Sequence, residues 1–203
     1  MLWKDYDSLV LYAPISDDTQ ISTLYPDVRA AEVFGCKNDK SRREKYCVWK
    51  LLERAVRDYL LLDFDNLHFT KNDYGKWECP DFEFSLSHTD RLVCVAISTT
   101  PIGVDVELVR TLKQRLSSRI LTPIETERFN TLDDDKKSEY LLECWVRKES
   151  IFKRNGQAAL MPNRIETDLY RTRVEHLHVC ERDYVMSVSS HGEKILFKYM
   201  EEI

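Results

Sequence analysis

Apolar and polar positions alternate with a period of two over several short stretches of this chain and with a helical period over two longer ones. "DSLVLYAPI" opens as a strand. A long helix is expected from about Ser41 to Leu62, where Val48, Leu51, Leu52, Ala55, Val56 and Tyr59 share one face. "SRRE" reads there as a capping box with Ser41 as N-cap and Glu44 at the third position. A polar turn around "KNDYGKWECPD" leads to a strand pair, "FEFSLSH" and "RLVCVAIS", with "TD" between them, and then to the strand "IGVDVE" at 102–107. "TPIE" at 122–125 is a second capping box with Pro123 at the first helical position, starting a short helix through Phe129 that "DDDKK" ends. Another helix runs from Glu139 to Lys153. After Asn155 and Gly156 the chain alternates again in "RVEHLHVCE", "YVMSVSS" and "KILFKYM". Helix followed by strands occurs twice, with Pro101 near the midpoint. The expected fold class is therefore α+β, in two pseudo-equivalent halves of helix packed on antiparallel sheet, 1–100 and 101–203.

Composition narrows the setting. Of 203 residues, 43% are hydrophobic and 32% charged, the balance of a soluble globular protein rather than a disordered one. Apolar runs such as "LVCVAI" are far shorter than the ~20 residues that span a bilayer, and "MLWKDYDSLV" carries acids where a signal peptide would be basic. A cytoplasmic protein without a membrane segment is the expectation. Six widely spaced cysteines with no C-x-x-C pair read as reduced thiols. A net charge of −5 argues against nucleic-acid binding. Two basic stretches stand out all the same, "KNDKSRREK" at 37–45 and the segment carrying Arg110, Lys113, Arg115 and Arg119; either alone is consistent with a solvated face.

Chemistry enters where polar residues break the pattern. In "IGVDVE" the alternation sends Ile102, Val104 and Val106 to one face and Gly103, Asp105 and Glu107 to the other, so two carboxylates stand side by side on a strand. On the 139–153 helix, Leu141, Leu142, Cys144, Trp145, Val146, Ile151 and Phe152 fill one arc, and Glu143, Arg147 and Ser150 fall outside it. Lys148 and Glu149 lie inside that arc and Lys153 at its edge. Glu149 and Lys153, spaced i, i+4, would make an ordinary surface pair if the helix stood alone. Together with Asp105 and Glu107, however, Glu149 completes a set of three carboxylates directed where apolar residues are expected. Such a set suits a hard cation such as Mg2+ and, through it, phosphate chemistry.

These blocks resemble those of the larger, surfactin-synthetase-activating 4'-phosphopantetheinyl transferases. That family carries a G-[I/V]-D-[I/V]-E strand, here "GVDVE" at 103–107, and a W-x-x-K-E-[S/A]-x-x-K helix, here "WVRKESIFK" at 145–153. Its upstream S-H strand end is similar to "FSLSHTD" at 84–90, and its G-K-P turn to "YGKWE" at 74–78, with Trp77 in place of proline. The four blocks cover roughly residues 70–160 in the family's order.

The resemblance implies the 4'-phosphopantetheinyl transferase fold, with coenzyme A in the cleft between the halves, and transfer of its phosphopantetheine arm to a serine of an apo carrier protein, leaving adenosine 3',5'-bisphosphate. It implies Mg2+ held by Asp105, Glu107 and Glu149, with Glu149 also the candidate base and Lys153 against the phosphates. Lys76, Ser87 and His88 would contact coenzyme A, His88 at the ribose 3'-phosphate. Lys45, with Arg43 as rival, is the match for an upstream phosphate contact. His176 and His178 are treated as surface residues for want of a third ligand, and Glu125 is either a capping residue alone or a neighbour of the site. An acidic carrier helix would dock near Arg110, Lys113, Arg115 and Arg119, and one chain would form the whole cleft as a monomer. A non-catalytic carrier- or nucleotide-binding module and a Mg2+-dependent nucleotide hydrolase are the alternatives.

Overall fold

A computed structural model describes residues 5–156 and 159–203. Strand β1 (Ser8–Pro14) is followed by helices α1 (Asp27–Phe34) and α2 (Asp39–Ala55), the short pair β2 (Thr70–Lys71) and β3 (Trp77–Glu78), and the hairpin β4 (Glu83–Thr89) and β5 (Leu92–Ser98). Strand β6 (Ile102–Leu108) leads to α3 (Ser117–Ile120), α4 (Pro123–Thr131) and α5 (Asp134–Asn155). Strands β7 (Thr172–Val179), β8 (Arg182–Ser190) and β9 (Ile195–Tyr199) follow.

Two sheets, ordered β4-β5-β1-β9 and β6-β8-β7, pack face to face between α2 and α5. Val10, Leu92, Cys94 and Ala96 of the first sheet meet Ile102, Val104, Val106, Met186 and Val188 of the second. On the first sheet's other face, α2 buries Trp49 among Phe64, Phe69, Trp77 and Phe84. Each fully buried side chain of this size is worth roughly 1.5–3 kcal/mol of transfer free energy, so this aromatic cluster anchors the first layer. The last strand crosses over: β9 pairs in parallel with β1 and so joins the first sheet rather than β7 and β8.

Local signals were met unevenly. The capping box at Thr122 is present in both of its hydrogen bonds, with Pro123 opening α4. At α2 the expected box is absent. Asn38 caps the helix by accepting from the Ser41 amide at 2.7 Å, and Glu44 turns instead towards His88. Asn38 competes successfully because its short side chain reaches back to the same backbone donor one turn earlier. The α-helix ends at Ala55 and continues as a single π turn over Val56–Leu60. "DDDKK" does not break a helix but starts one: Asp134 and Asp135 occupy the first turn of α5, where negative charge meets the helix dipole favourably.

A row of small residues lets α5 lie close on the second sheet. A Cβ at Gly103 would come within 1.9 Å of the Ser150 carbonyl oxygen, and Ser150 Oγ lies 3.0 Å from Ser187 Oγ. Ser150, expected outside the apolar arc, is therefore fully buried. No helix among the described residues is long and apolar enough to cross a membrane.

Candidate active site at the junction of β6 and α5

Strand β6 is the edge of the second sheet and runs beside β4, the edge of the first. Edge strands leave backbone donors unpaired, and here two side chains supply partners: Ser85 Oγ accepts from Val104 N at 3.0 Å and Ser87 Oγ from Val106 N at 3.2 Å. The alternation in "FSLSH" makes this possible. It sends Ser85 and Ser87 towards β6 and Phe84 and His88 towards α2.

Ser87 then joins the charged centre. Its hydroxyl donates to Asp105 Oδ1 at 2.9 Å and accepts from Lys153 Nζ at 3.0 Å, while Lys153 Nζ reaches Asp105 Oδ1 at 2.8 Å. Asp105 is buried, and its second oxygen, Oδ2, has no hydrogen-bond partner. Glu107 accepts from Trp145 Nε1 at 3.1 Å and lies 3.6 Å from Arg110. Thus the first and last residues of "WVRKESIFK" each hold one carboxylate of "GVDVE".

Charge is crowded here. Burial first, then the charge of Asp105, raises Glu149 to about 7 against the weaker pull of Lys153. Burial and Asp105 also raise Glu107. Burial opposes the charge on Lys153, but Asp105 outweighs it and holds the ammonium protonated. Three carboxylates around one lysine leave an excess of negative charge, and the orphaned Asp105 Oδ2 is an acceptor that a bound cation would satisfy. The donor set thus fits a divalent hard metal. In this arrangement Asp105 is turned to Ser87 and Lys153, and Glu107 to Trp145. Among the described residues, three ligating atoms come within 4.8 Å of one another only at Glu139, Glu143 and His176, on the outer face of α5 and β7. His176 therefore has the carboxylate neighbours that its sequence context did not reveal.

The other expected site residues fall around this centre with different partners. Lys76 and Lys153 line one cleft of about 290 Å3, with Tyr74, Phe84, Leu86 and Phe152. His88 lies 3.5 Å from Glu44, and burial, followed by the charges of Lys153, Arg29, Lys45 and Lys40, lowers it to about 4, so it is neutral at pH 7. Lys45 Nζ is 3.0 Å from Glu32, and the rival Arg43 reaches Asp17 instead. Arg110, Lys113, Arg115 and Arg119 are exposed, and among the described residues only Arg110 of the four has an ion-pair partner.

Glu125 and Lys148 take no part in this centre. Glu125 closes the α4 capping box, accepts from Thr167, and pairs with Lys148 Nζ at 2.5 Å, both side chains being fully buried. The capping signal revealed Glu125. Nothing in the sequence revealed Glu32, which gathers Arg29, Lys45 and Lys71 from three separate elements.

Known proteins are similar to this chain in sequence. The 4'-phosphopantetheinyl transferase superfamily matches residues 101–198, from just before β6 to the end of β9. The chain is 30% identical over 115 residues to 4'-phosphopantetheinyl transferase Sfp of Bacillus subtilis (strain 168), covering 55% of this chain and 51% of that protein. It is 29% identical over 156 residues to another Bacillus subtilis 4'-phosphopantetheinyl transferase, covering 71% and 70%. Against 4'-phosphopantetheinyl transferase gsp of Aneurinibacillus migulanus, identity is 27% over 59% of this chain and 56% of the relative. The chain thus spans about half the length of the first of these relatives. The match takes in both β6, which carries the paired carboxylates, and α5, which carries Glu149 and Lys153, so over residues 101–198 the chain is similar to the 4'-phosphopantetheinyl transferase superfamily.

Proposed function

We propose that this chain transfers the 4'-phosphopantetheine arm of coenzyme A to a serine hydroxyl of an apo acyl or peptidyl carrier protein, as a cytoplasmic monomer. Residues 1–100 would supply the coenzyme A phosphate contacts and residues 101–203 the metal-binding carboxylates and the catalytic helix. The observation that carries this reading is the Asp105–Ser87–Lys153 network, with Glu149 and Glu107 beside it, at the seam of the two sheets.

In the reaction the carrier serine oxygen forms a bond to the β-phosphorus of coenzyme A. The phosphoanhydride bond breaks, and adenosine 3',5'-bisphosphate leaves with the electron pair. Glu149, beside Asp105 and Glu107 on the helix that also carries Lys153, takes the serine proton. Lys153, held protonated by Asp105, faces the charge that develops on the phosphate oxygens. Asp105, Glu107 and Glu149 would hold Mg2+, which when bound offsets phosphate charge. Ser87 fixes the positions of Lys153 and Asp105 relative to one another. Lys76 and His88 flank the route of the nucleotide, and the exposed run Arg110, Lys113, Arg115 and Arg119 suits an acidic carrier helix.

Incubating the chain with coenzyme A, Mg2+ and an apo carrier tests the proposal. Mass gain on the carrier supports transfer. Coenzyme A cleavage without a carrier would favour a nucleotide hydrolase, and nucleotide binding without either reaction a binding module.

A further inference from the structure

Glu32 on α1 is the hub of a cationic cluster that the reaction above does not use. Its Oε1 lies 3.0 Å from Lys45 Nζ on α2, and its Oε2 lies 3.0 Å from Arg29 NH1 on α1 and 2.9 Å from Lys71 Nζ on β2. The indole N–H of Trp77 on β3 donates to the same oxygen at 3.2 Å. Trp77 also backs the cluster: Lys71 Nζ stands 4.9 Å from its ring centroid, and the Arg29 guanidinium lies 4.9 and 6.0 Å from the ring centroids of Trp49 and Trp77. Three cations to one carboxylate leave the cluster with two positive charges in excess. Arg29 is 3% exposed, and its Nε is buried with no hydrogen-bond partner.

The cluster borders the site already described. Arg29, Lys45 and Lys153 all act on the neutral imidazole of His88, so their charges converge on one region. Burial alone would raise the Glu32 carboxyl, but hydrogen bonds from Lys71 and Lys45 and the charges of Arg29 and Lys71 hold it at about 2. Glu32 is therefore an anion at any working pH, seated where the cations of α1, α2 and β2 would otherwise face an incoming anion together. A ligand ending in a phosphate monoester must share these cations with Glu32. A ligand ending in a hydroxyl leaves them with Glu32 alone as their counter-charge.

We infer that Glu32 is a specificity-determining residue: it is a built-in counter-anion that limits how strongly this site prefers a coenzyme A bearing a terminal phosphate over one that lacks it. This inference rests on the coenzyme A reading of the site. Without the Glu32 charge, a ligand lacking the phosphate would leave three cations facing one another, and the preference for the phosphate would widen.

The test is calorimetric titration of the full chain with adenosine 3',5'-bisphosphate and with adenosine 5'-monophosphate, which differ only in the terminal phosphate. Glu32→Gln should raise the ratio of the two dissociation constants by about fivefold, the order expected of one partly exposed charge, and the gain should shrink as KCl is added. Lys71→Met, a change on a two-residue exposed strand, should lower the ratio and gives the same answer should Glu32→Gln fold poorly. An unchanged or smaller ratio in Glu32→Gln would overturn the inference, as would a folded parent that binds neither nucleotide, or an unchanged ratio in Lys71→Met. These readouts do not involve a carrier protein. If the ratio shifts as stated but no carrier is modified, the transfer reading falls while the role of Glu32 stands.

Discussion

Lys148 Nζ lies 2.5 Å from Glu125 Oε2 and also donates to the carbonyl oxygens of Pro162 and Ile165 at 3.0 and 2.7 Å, while the next residue, Glu149, stands beside Asp105 and Glu107 in the carboxylate cluster. Neighbours on a helix are about 100° apart, and here that angle separates a structural charge from a reactive one. The buried pair ties α5 to the cap of α4 and to the turn at Pro162–Arg164.

Removing one partner of such a pair strands a buried charge. Lys148→Met alone should therefore destabilise the chain by about 3–5 kcal/mol. Lys148→Met with Glu125→Gln should recover much of that loss. Urea unfolding of the two single variants and the double variant measures the coupling. Additive losses would show that the pair is not the structural unit described.

Glu149 carries a pH signature. Its folded-state pKa is raised from the model-compound value of 4.5 to about 7. Below 4.5 the carboxyl is protonated in both states and contributes nothing. Between 4.5 and 7 the folded form keeps a proton that the unfolded form has lost, so stability falls as pH rises, and the deficit is complete above 7. With a chelator present, Glu149→Gln should match the parent near pH 4 and unfold at higher urea than the parent at pH 8. Mg2+ at pH 8 should raise the parent's midpoint more than the variant's.

Gly103 permits the close approach of α5 to β6. A methyl there would meet the Ser150 carbonyl oxygen at 1.9 Å and the Arg154 amide nitrogen at 2.5 Å, both backbone atoms. Gly103→Ala should cost roughly 1–3 kcal/mol or more by overpacking. Because it pushes the helix off the strand, it should also weaken the Lys153–Asp105 contact and lower transfer in the fraction that remains folded. Thermal unfolding together with turnover per folded molecule checks both effects.

Much of this site was legible because its signals are local. The period of two in "IGVDVE" gave the shared face of Asp105 and Glu107, and the helical period gave Glu149 and Lys153 an inward direction that the fold bears out. What escaped the sequence was non-local. Glu32 matters through residues on three other elements, β9 pairs with β1 across most of the chain, and Ser150 is buried only because Gly103 and Ser187 leave room for it. The cap of α2 was misread for a different reason: Asn38 and Ser41 are both good caps, and the tie was broken by the helix beginning one turn earlier.

The basic segment after β6 makes a separate prediction. Lys113 and Arg115 are exposed and, among the described residues, in no ion pair, so reversing both to Glu should leave the fold and the coenzyme A site untouched. The value of kcat/KM for an acidic carrier should fall on the order of tenfold at low salt, with KM for coenzyme A little changed, and added salt should narrow the gap. Equal efficiency of parent and variant at low ionic strength would move the docking surface elsewhere.

The central claim is tested most directly by intact-mass measurement of an apo carrier protein after incubation with coenzyme A, Mg2+ and either the parent chain or Asp105→Ala. Asp105 is the residue to remove because it touches Lys153 and Ser87 and presents the orphaned acceptor, while the apolar face of β6 is left intact. The account predicts that the parent adds one phosphopantetheine to the carrier and that folded Asp105→Ala adds none. A carrier modified at similar rates by both, or left unmodified by a folded parent that binds coenzyme A, would contradict it.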